Sequence, residues 1–222
     1  IKYKVDLLNI IKTLSLEKSQ TIIMSLHEIE LVSKIADKVL LIKDGKIYNY
    51  GTPEDVITDE AIREVYNLNS GYFNTTMGNV ELPKGSSKAK VFVIGGGGRA
   101  TKIYRALHKK DIGFYSGILF KNDMDYNISN ALGHKTIAED AFIDISSEKF
   151  NEAKFFIDTS QVLIDSGVSF KGIGKANYKL LQYALEKGIK VMSLRKEDLG
   201  LNFIKYDSIS SMINEVMSLK DS

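Results

Sequence analysis

Residues 21–50 read TIIMSLHEIELVSKIADKVLLIKDGKIYNY, and this stretch decides how we interpret the first third of the chain. Two apolar runs, Thr21–Leu26 and Lys38–Lys43, have the composition of strands, and apolar residues recur at helical spacing between them. Asp44-Gly45 then predicts a two-residue hairpin, because a type I′ turn needs positive φ at both central positions. The stretch therefore predicts a strand, a helix, a second strand and a returning strand, in that order.

A histidine, His27, stands where the first predicted strand ends and the helix begins. A lone histidine is more often structural than functional. The parts around it follow a specific order: Ser25-Leu26-His27-Glu28, the helix, Ala36-Asp37, the strand, Lys43-Asp44-Gly45-Lys46-Ile47, then Gly51-Thr52-Pro53-Glu54. This order closely resembles the end of an ABC transporter ATP-binding subunit, above all in importers of iron-siderophore, haem or corrinoid type. The resemblance implies that His27 is the switch-loop histidine, which in that family contacts the γ-phosphate of ATP and helps to orient the attacking water.

The composition is that of a globular protein with an adequate core. Of the 222 residues, 44% are hydrophobic and 26% are charged, and the length suits one large domain or two smaller ones. The net charge is only +2 with both signs mixed along the chain, so we expect no nucleic-acid partner. The absence of cysteine excludes disulfides and thiolate metal sites, and we predict no metal site. No apolar run approaches the ~20 residues of a membrane helix, so membrane association would have to go through a partner.

The sequence begins at Ile1, and Lys2–Leu16 already has helix periodicity with no N-cap before it. By the resemblance, this start falls just after the Walker B and D-loop segment of an ABC ATPase. The sequence contains no GxxxxGK(S/T) loop, no LSGGQ-like signature and no apolar strand ending in Asp-Glu. We therefore expect the C-terminal part of a larger ATPase, which binds ATP and Mg²⁺ mostly through residues outside this chain. Alone, the chain should not hydrolyse ATP, and it should expose sheet edges and apolar helix faces.

The resemblance also implies partners and a location. An importer of this type works with membrane permease subunits and a second ATP-binding subunit. The protein would lie in the cytoplasm, at the inner face of the cell membrane, through its contact with the permease. A homodimer of this chain is a further expected assembly.

The composition changes after the first third of the chain. Thr52-Pro53 predicts a helix start, and a second short helix follows. Residues 67–87 are rich in Asn, Ser, Thr and Gly, although Phe73 and Val80 suggest that part of them packs as a strand. We therefore predict three regions: the C-terminal portion of an ABC nucleotide-binding domain (1–82), a linker (83–87) and a separate domain (88–222).

Residues 88–222 alternate between strand and helix patterns. Such alternation predicts a mostly parallel sheet covered on both faces, that is, a doubly wound, Rossmann-like α/β domain. The predicted strands are Lys90–Ile94, Phe114–Phe120, Lys135–Ala138, Lys154–Ile157 and Val191–Leu194. The predicted helices are Arg99–Lys109, Met124–Leu132, Ser147–Ala153, Lys175–Lys187 and Ser208–Leu219.

The stretch from Gly95 to Ala100 fits G-x-G-x-x-A directly after a strand and at the start of a helix. Glycine is needed in such a turn because phosphate oxygens reach helix N-terminal N–H groups only where no Cβ intervenes. The acidic residue expected about 20 positions further on is displaced, because the strand ends in Phe120-Lys121-Asn122 and Asp123 comes late. We predict a ligand at this loop and disfavour a dinucleotide; a turn without any ligand is the alternative.

Other glycines and polar residues are predicted to follow strands, so that they gather at the carboxyl edge of the sheet, where ligands bind in this fold class. Together they predict a cleft for an anionic or hydroxyl-rich small molecule, although helix caps and turns explain each residue equally well. His108 and His134 are interpreted as structural. The predicted ligand-binding residues are Gly95, Gly96, Gly97, Gly98, Arg99, Asn122, Asp123, Asp158, Gly172 and Gly174.

The leading functional hypothesis is part of the ATP-binding subunit of an ABC importer. It would couple ATP hydrolysis to uptake of an iron chelate, haem or corrinoid, with residues 88–222 as a regulatory sensor of a small ligand. The competing hypothesis is a stand-alone nucleotide- or dinucleotide-binding module with no role in transport. A third is an NAD(P)-dependent oxidoreductase built on Gly95–Ala100, which the missing acidic partner disfavours; neither Tyr104 nor Tyr178 has a lysine four residues later.

Overall fold

The computed structural model describes residues 2–68, 71–74 and 79–219. The chain divides into two compact units, Ile1–Glu81 and Leu82–Ser222. We call them unit 1 and unit 2 and describe each by itself.

Unit 1 is mixed helix and strand. Its helices are α1 (Lys2–Lys18), α2 (Ile29–Ile35), α3 (Pro53–Val56) and α4 (Asp59–Val65). Its strands are β1 (Val39–Lys43), β2 (Lys46–Gly51), β3 (Tyr72–Asn74) and β4 (Asn79–Glu81), paired as two antiparallel hairpins, β1 with β2 and β3 with β4.

The turn between β1 and β2 has the predicted geometry. Asp44 and Gly45 have φ of 49° and 72°, as a type I′ turn requires, and Lys43 pairs with Lys46 across it. Pro53 opens α3 as expected, but the Thr52 side chain caps no N–H group there. Its hydroxyl donates instead to the Asp55 carboxylate, over 2.9 Å.

The strand predicted over Thr21–Leu26 is wrong. These residues have no regular secondary structure, and Ile23 is 94% exposed. A strand exists only where a neighbouring backbone completes its hydrogen bonds, and no described residue of unit 1 pairs with this segment. The β-forming composition is therefore insufficient by itself.

Unit 1 has a small core. Its fully buried side chains include Val56, Ile62 and Phe73, which come from α3, α4 and β3; both α3 and α4 contact β1, and α4 also contacts β3. In contrast, α2 has no buried residue. Large apolar side chains elsewhere in the unit face outward, as the sequence led us to expect: Tyr3, Val5, Leu7, Ile10, Leu16, Leu40, Ile42, Ile47, Tyr48 and Tyr50.

Unit 2 contains six parallel strands. They are β5 (Ala89–Ile94), β6 (Gly113–Phe120), β7 (Lys135–Glu139), β8 (Val162–Asp165), β9 (Lys190–Ser193) and β10 (Ile204–Lys205). The helices are α5 (Thr101–Lys109), α6 (Met124–Leu132), α7 (Ser147–Asp158), α8 (Lys175–Glu186) and α9 (Ile209–Ser218), and a 3₁₀ turn over Gly172–Gly174 precedes α8.

The strand order is β10-β9-β8-β5-β6-β7. Numbered within unit 2, this is the order 3-2-1-4-5-6 of the doubly wound dinucleotide-binding fold. The predicted α/β class with a doubly wound parallel sheet is therefore confirmed.

One predicted strand of unit 2 is wrong. The segment Lys154–Ile157, predicted as a strand, continues α7 to Asp158, and the true strand is β8, which the sequence pattern does not predict. Ala153 and Ile157 are both fully buried at the i, i+4 spacing of a helix, whereas Phe155 is 62% exposed. The apolar run is continuous in sequence, but only one side of it faces the core.

Two helical layers cover the sheet. Helices α7 and α8 pack together against the face formed by Phe92, Ile94, Leu163 and Val191. Helix α5 contacts α6 and α9, and these three form the other layer. Both faces of β5 and β8 are consequently buried, as in other parallel sheets of this class.

Candidate functional site

The carboxyl edge of the unit 2 sheet brings together the loops that follow β5, β6, β8 and β9. The strands β5 and β8 are neighbours, but β5 leads into α5 on one face and β8 leads into α8 on the other. The chain connections thus diverge between these two strands, which is the switch point where ligands bind in open α/β sheets.

The glycine loop after β5, residues 95–98, has a shape that other residues would strain. Gly96, Gly97 and Gly98 have φ of 144°, 62° and 74°. Gly95 is required for a different reason, because a side chain there would meet the Tyr104 hydroxyl and the Ala100 methyl group. The glycines are thus explained by backbone shape and by packing, independently of any ligand.

Two carboxylates occupy the N–H groups of this loop. The Asp125 Oδ2 atom accepts from the Gly96 and Ala100 amides over 2.8 and 3.0 Å, and its Oδ1 accepts from the Thr101 hydroxyl over 2.8 Å. The Asp123 Oδ2 atom accepts from the Gly97 amide over 2.7 Å. Asp125 is fully buried, and these hydrogen bonds place its charge at the α5 N-terminus. The helix dipole stabilises an anion at this position.

These contacts change the interpretation of the loop. In a dinucleotide-binding fold, the diphosphate occupies this helix N-terminus. Here, the amides of Gly96, Gly97 and Ala100 already donate to side-chain carboxylates. Sequence reasoning identified the glycines and Asp123 but missed Asp125, whose only signal was its position in the first turn of α6.

A buried pair of hydroxyl groups lies next to the glycine loop, beside Gly95. The hydroxyls of Tyr104 and Ser116 lie 2.5 Å apart, and the Ser116 hydroxyl donates to the Val93 carbonyl over 2.9 Å. Burial raises the pKa of the Tyr104 phenol well above 10, and the Asp125 charge raises it further. The tyrosine is therefore a neutral structural group at ordinary pH.

A buried ion pair joins β8 to the loop after β9. The Arg195 Nε and Nη2 atoms donate to the two Asp165 carboxylate oxygens over 3.0 and 3.2 Å, and the Ser193 hydroxyl donates to the same carboxylate over 2.8 Å. Arg195 also donates to the Val168 carbonyl, and its guanidinium lies 4.1 Å from the centre of the Phe170 ring. Sequence reasoning missed this pair because it missed β8; the signal was an aspartate that ends the apolar run VLID.

Arg99 extends from the glycine loop toward the loop after β8. Its Nη1 atom lies 3.9 Å from the point where a Cβ atom on Gly167 would be. Its side chain is exposed, and no residue in the described part of the chain forms an ion pair with it. Beside it, Ser166 is 6% exposed, and its Oγ atom has no hydrogen-bond partner among the described residues.

The remaining predicted residues fall in different places. Asn122 is exposed in the turn between β6 and α6. Gly172 and Gly174 form the 3₁₀ turn at the same edge of the sheet, where a side chain on Gly174 would collide with the Ser169 carbonyl. These residues lie on the expected loops, but the structure gives them turn and packing roles.

The predicted position of Asp158 is wrong. It was expected just after a strand at the carboxyl edge, but it ends α7, so it lies at the amino edge where β8 begins. Its carboxylate accepts a hydrogen bond from the Tyr183 hydroxyl over 2.9 Å. Asp158 is therefore remote from the glycine loop by topology.

His27 lies in unit 1, two residues before α2. Its side chain is exposed, and within the described ranges no residue forms a hydrogen bond with its imidazole. The neighbouring Glu28 makes an ion pair with Lys4 and does not cap α2 with its side chain. The imidazole is thus free to meet a group outside this unit.

The described residues contain neither a metal-site cluster nor a membrane-spanning helix. No group of three or more His, Asp or Glu side chains there has the arrangement of a metal site. No helix in residues 2–68, 71–74 or 79–219 combines the length and apolar character needed to cross a membrane.

Comparisons with known proteins found one family model and several relatives. The MJ0874 family matches residues 114–216, which lie in unit 2. An uncharacterized ABC transporter ATP-binding protein, MJ0873 of Methanocaldococcus jannaschii, is 39% identical over 109 residues, which are 49% of this chain and 38% of that protein. No solved structure matches the chain.

Two further relatives have names that state a substrate. The cobalamin import ATP-binding protein BtuD of Halobacterium salinarum is 23% identical over 140 residues, covering 60% of this chain and 35% of that protein. The ferric enterobactin transport ATP-binding protein FepC of Escherichia coli is 31% identical over 68 residues, covering 31% of this chain and 25% of that protein. The chain spans little more than a third of the length of the first relatives that it matches. These relatives are thus ABC transporter ATP-binding proteins, and the chain matches each of them over part of its length.

Proposed function

We propose that this chain is part of the ATP-binding subunit of an ABC importer that takes up an iron chelate, haem or corrinoid. The observation that carries the proposal is the exposed imidazole of His27, which has no hydrogen-bond partner among the described residues and lies just before α2 and the β1–β2 hairpin. This is the position of the switch histidine in the family that the sequence resembles. The substrates named for the cobalamin and enterobactin relatives support the choice of cargo.

ATP and Mg²⁺ fit this chain only in part. The exposed imidazole of His27 can donate to a γ-phosphate and orient a water molecule beside it. The sequence offers no GxxxxGK(S/T) loop for the phosphates and, among the described residues, no carboxylate group arranged for a metal ion. In the proposal, those contacts come from residues outside this sequence, and hydrolysis of bound ATP supplies the free energy for transport.

The apolar surface of unit 1 supports the proposed partners. Side chains such as Leu7, Ile10 and Ile23 are 56%, 57% and 94% exposed. Exposed apolar surface of this extent marks a site of protein contact. We propose that the rest of the ATPase, a second ATP-binding subunit and the membrane permease cover it, which would hold the protein at the inner face of the membrane.

We further propose that unit 2 is a regulatory domain that binds a small molecule at its carboxyl edge. Its strand order supports this role, because the switch point between β5 and β8 is where such folds bind ligands. The proposed contacts are Gly98, Arg99 and Asn122, with the Gly172–Gly174 turn nearby; the Gly97 amide and the Asp123 carboxylate already bind each other.

A stand-alone nucleotide-binding module is the second candidate, and the same strand order favours it. The carboxylates of Asp123 and Asp125 on the glycine loop count against it, because they hold the amides that a diphosphate would need. We therefore keep transport as the leading proposal.

The test is the ATPase rate of the full-length subunit assembled with its permease. His27→Ala should lower the rate by about 10²-fold or more, as expected for loss of a positioned proton-transfer group. His108→Ala is the matched control and should leave the ATPase rate unchanged. His108 lies in unit 2, and its Nε2 atom is 2.7 Å from the Pro83 carbonyl, which indicates a structural role. An ATPase rate that His27→Ala leaves unchanged would refute the assignment of His27.

A further inference from the structure

The charges at the carboxyl edge of unit 2 are divided between its two sides. On the β6 side, Asp123 and Asp125 hold the loop amides. On the β8 side, Asp165 is neutralised by Arg195 through two hydrogen bonds. Arg99 is an exposed cation of this edge, beside the glycine loop, and it has no carboxylate partner among the described residues.

The Arg99 guanidinium lies across the switch point. Its Nη1 atom is 3.9 Å from the place that a Cβ atom on Gly167 would occupy, which brings the guanidinium over the loop that follows β8. A guanidinium has a planar set of donors that matches the oxygens of a carboxylate or a phosphate. Since its donors have no partner in the described ranges, it can bind one oxyanion at this point.

Ser166 supplies a second, independent sign of a ligand. Its amide donates to the Ile94 carbonyl over 3.1 Å, which places the residue beside the start of the glycine loop. Side chains alternate along a strand, and Asp165 faces Ser193 and Arg195 on the α7–α8 side. The Ser166 hydroxyl therefore points to the α5 side, where it is buried and has no partner in the described structure. Buried hydroxyl groups normally have a hydrogen-bond partner, and the Ser166 hydroxyl lacks one among the described residues.

The β6 side sets a limit on the size of the anion. A diphosphate that reached from Arg99 over the glycine loop would bring its second phosphate to the Asp123 carboxylate. That carboxylate already accepts from the Gly97 amide, and its Oδ2 atom is 3.7 Å from the point where a Cβ on Gly96 would be. A phosphate over the glycine loop would lie beside this carboxylate, and like charges repel, so two adjacent phosphates are disfavoured.

We propose that unit 2 binds a single small oxyanion, a phosphate group or a carboxylate, between Arg99 and the Ser166-Gly167 segment. The proposal rests on the regulatory function proposed for unit 2 and names the chemistry of its ligand. It excludes dinucleotides and nucleoside diphosphates as the ligands of this edge.

The experiment is isothermal titration of the intact 222-residue chain with inorganic phosphate, succinate, ADP and NAD, each in a separate run. We expect saturable binding of phosphate if the natural ligand carries a phosphate group, or of succinate if it carries a carboxylate. Arg99→Gln should weaken that binding about tenfold or more, because it removes a charge-assisted contact. Ser166→Ala should weaken it roughly fivefold, the effect of one hydrogen bond.

Lys109→Gln is the matched control. It removes the same charge from the other end of α5, where Lys109 is exposed, and it should leave the affinity unchanged. Circular dichroism of each variant separates loss of binding from loss of folding, because Arg99 is exposed and its replacement should not alter the fold.

Three outcomes would overturn the proposal: no saturable binding of phosphate or succinate, equal binding by wild type and Arg99→Gln, or binding of NAD or ADP alone. The ATPase rate of the assembled transporter with and without the bound anion tests the regulatory function separately. If the anion binds but the rate does not change, the site stands and the regulatory function fails.

Discussion

Unit 1 and unit 2 form their secondary structure from equally clear sequence patterns, but they bury it to very different extents. In unit 2, both faces of β5 and β8 are covered, and Phe92, Leu163 and Ile164 are fully buried. In unit 1, α2 buries no residue and the β1–β2 hairpin exposes Leu40 and Ile42. The difference teaches that periodicity predicts an element, whereas stability requires a second layer to cover its apolar face.

The largest expected difference between the units comes from removing a leucine from each. Leu163→Ala should destabilise unit 2 by about 2–5 kcal/mol, because it leaves a cavity in a fully packed core. Leu40→Ala, at a side chain that is 45% exposed, should destabilise unit 1 by less than about 1 kcal/mol. Hydrogen exchange of each unit, followed by mass spectrometry, measures the two effects separately. Equal losses would mean that another surface covers β1 in solution.

The next effect concerns the buried carboxylate of the glycine loop. Asp125→Asn should destabilise unit 2 by about 1–3 kcal/mol, because the amide cannot replace all charge-assisted bonds to Gly96, Ala100 and Thr101. Asp140→Asn is the control; its ion pair with Lys121 is exposed, so its loss should change the stability little. Urea unfolding of both variants gives the comparison. If Asp125→Asn has no larger effect than Asp140→Asn, the carboxylate does not hold the loop.

A smaller effect should be the same in both units. Gly45 and Gly97 have positive φ of 72° and 62°, and neither has an atom within 4 Å of the point where a Cβ would be. Alanine at either position should therefore reduce the free energy of unfolding only through the unfavourable positive φ, by about 1–2 kcal/mol. Thermal unfolding of Gly45→Ala and Gly97→Ala tests this equality. A much larger loss at Gly97 would show that the glycine loop has contacts beyond its backbone shape.

The smallest effect is a pH dependence that belongs to unit 2. The pKa of Tyr104 is raised in the folded state, so the unfolded chain loses this proton first, at a pH near 10. The contribution of Tyr104 to the free energy of unfolding is thus constant below about pH 10. Above this pH it declines by about 1.4 kcal/mol per pH unit. Tyr104→Phe should flatten the decline of the unit 2 unfolding midpoint between about pH 10 and 11. If wild type and variant have the same slope, Tyr104 is not the source of the decline. Midpoints measured at about pH 8, where the phenol is neutral in both states, provide the reference.

The parts of the fold that were predictable from sequence are those that depend on local chemistry. Asp44-Gly45 specifies its turn because few residues accept positive φ, and the α6 boundaries follow from a periodic run between Asp123 and Gly133. Strand Val162–Asp165 was not found, because a four-residue apolar run resembles a buried helix turn. Thr21–Leu26 was assigned as a strand, because sequence alone does not report whether a pairing partner is present.

The candidate site was predictable in position and not in detail. A glycine run after an apolar strand places a loop at the carboxyl edge of a sheet, and this inference needed no knowledge of contacts. The Asp125 carboxylate on the Gly96 amide joins residues from different strand–helix units, as does Arg195 on Asp165. Such long-range pairs are set by the packing of the sheet, so the sequence around each residue contains little information about them.

The strand order of unit 2 also has a consequence for how the chain folds. Strand β5 pairs with β6, the next strand in the sequence, but its other neighbour, β8, follows only after β7 and α7. During synthesis, the apolar segment VFVI of β5 therefore keeps one edge without a partner until residues 162–165 have left the ribosome. Non-local pairing of this kind slows folding, and an open apolar edge is a site of aggregation in the meantime. The central strand that stabilises the finished sheet is thus the segment of the nascent chain most in need of protection.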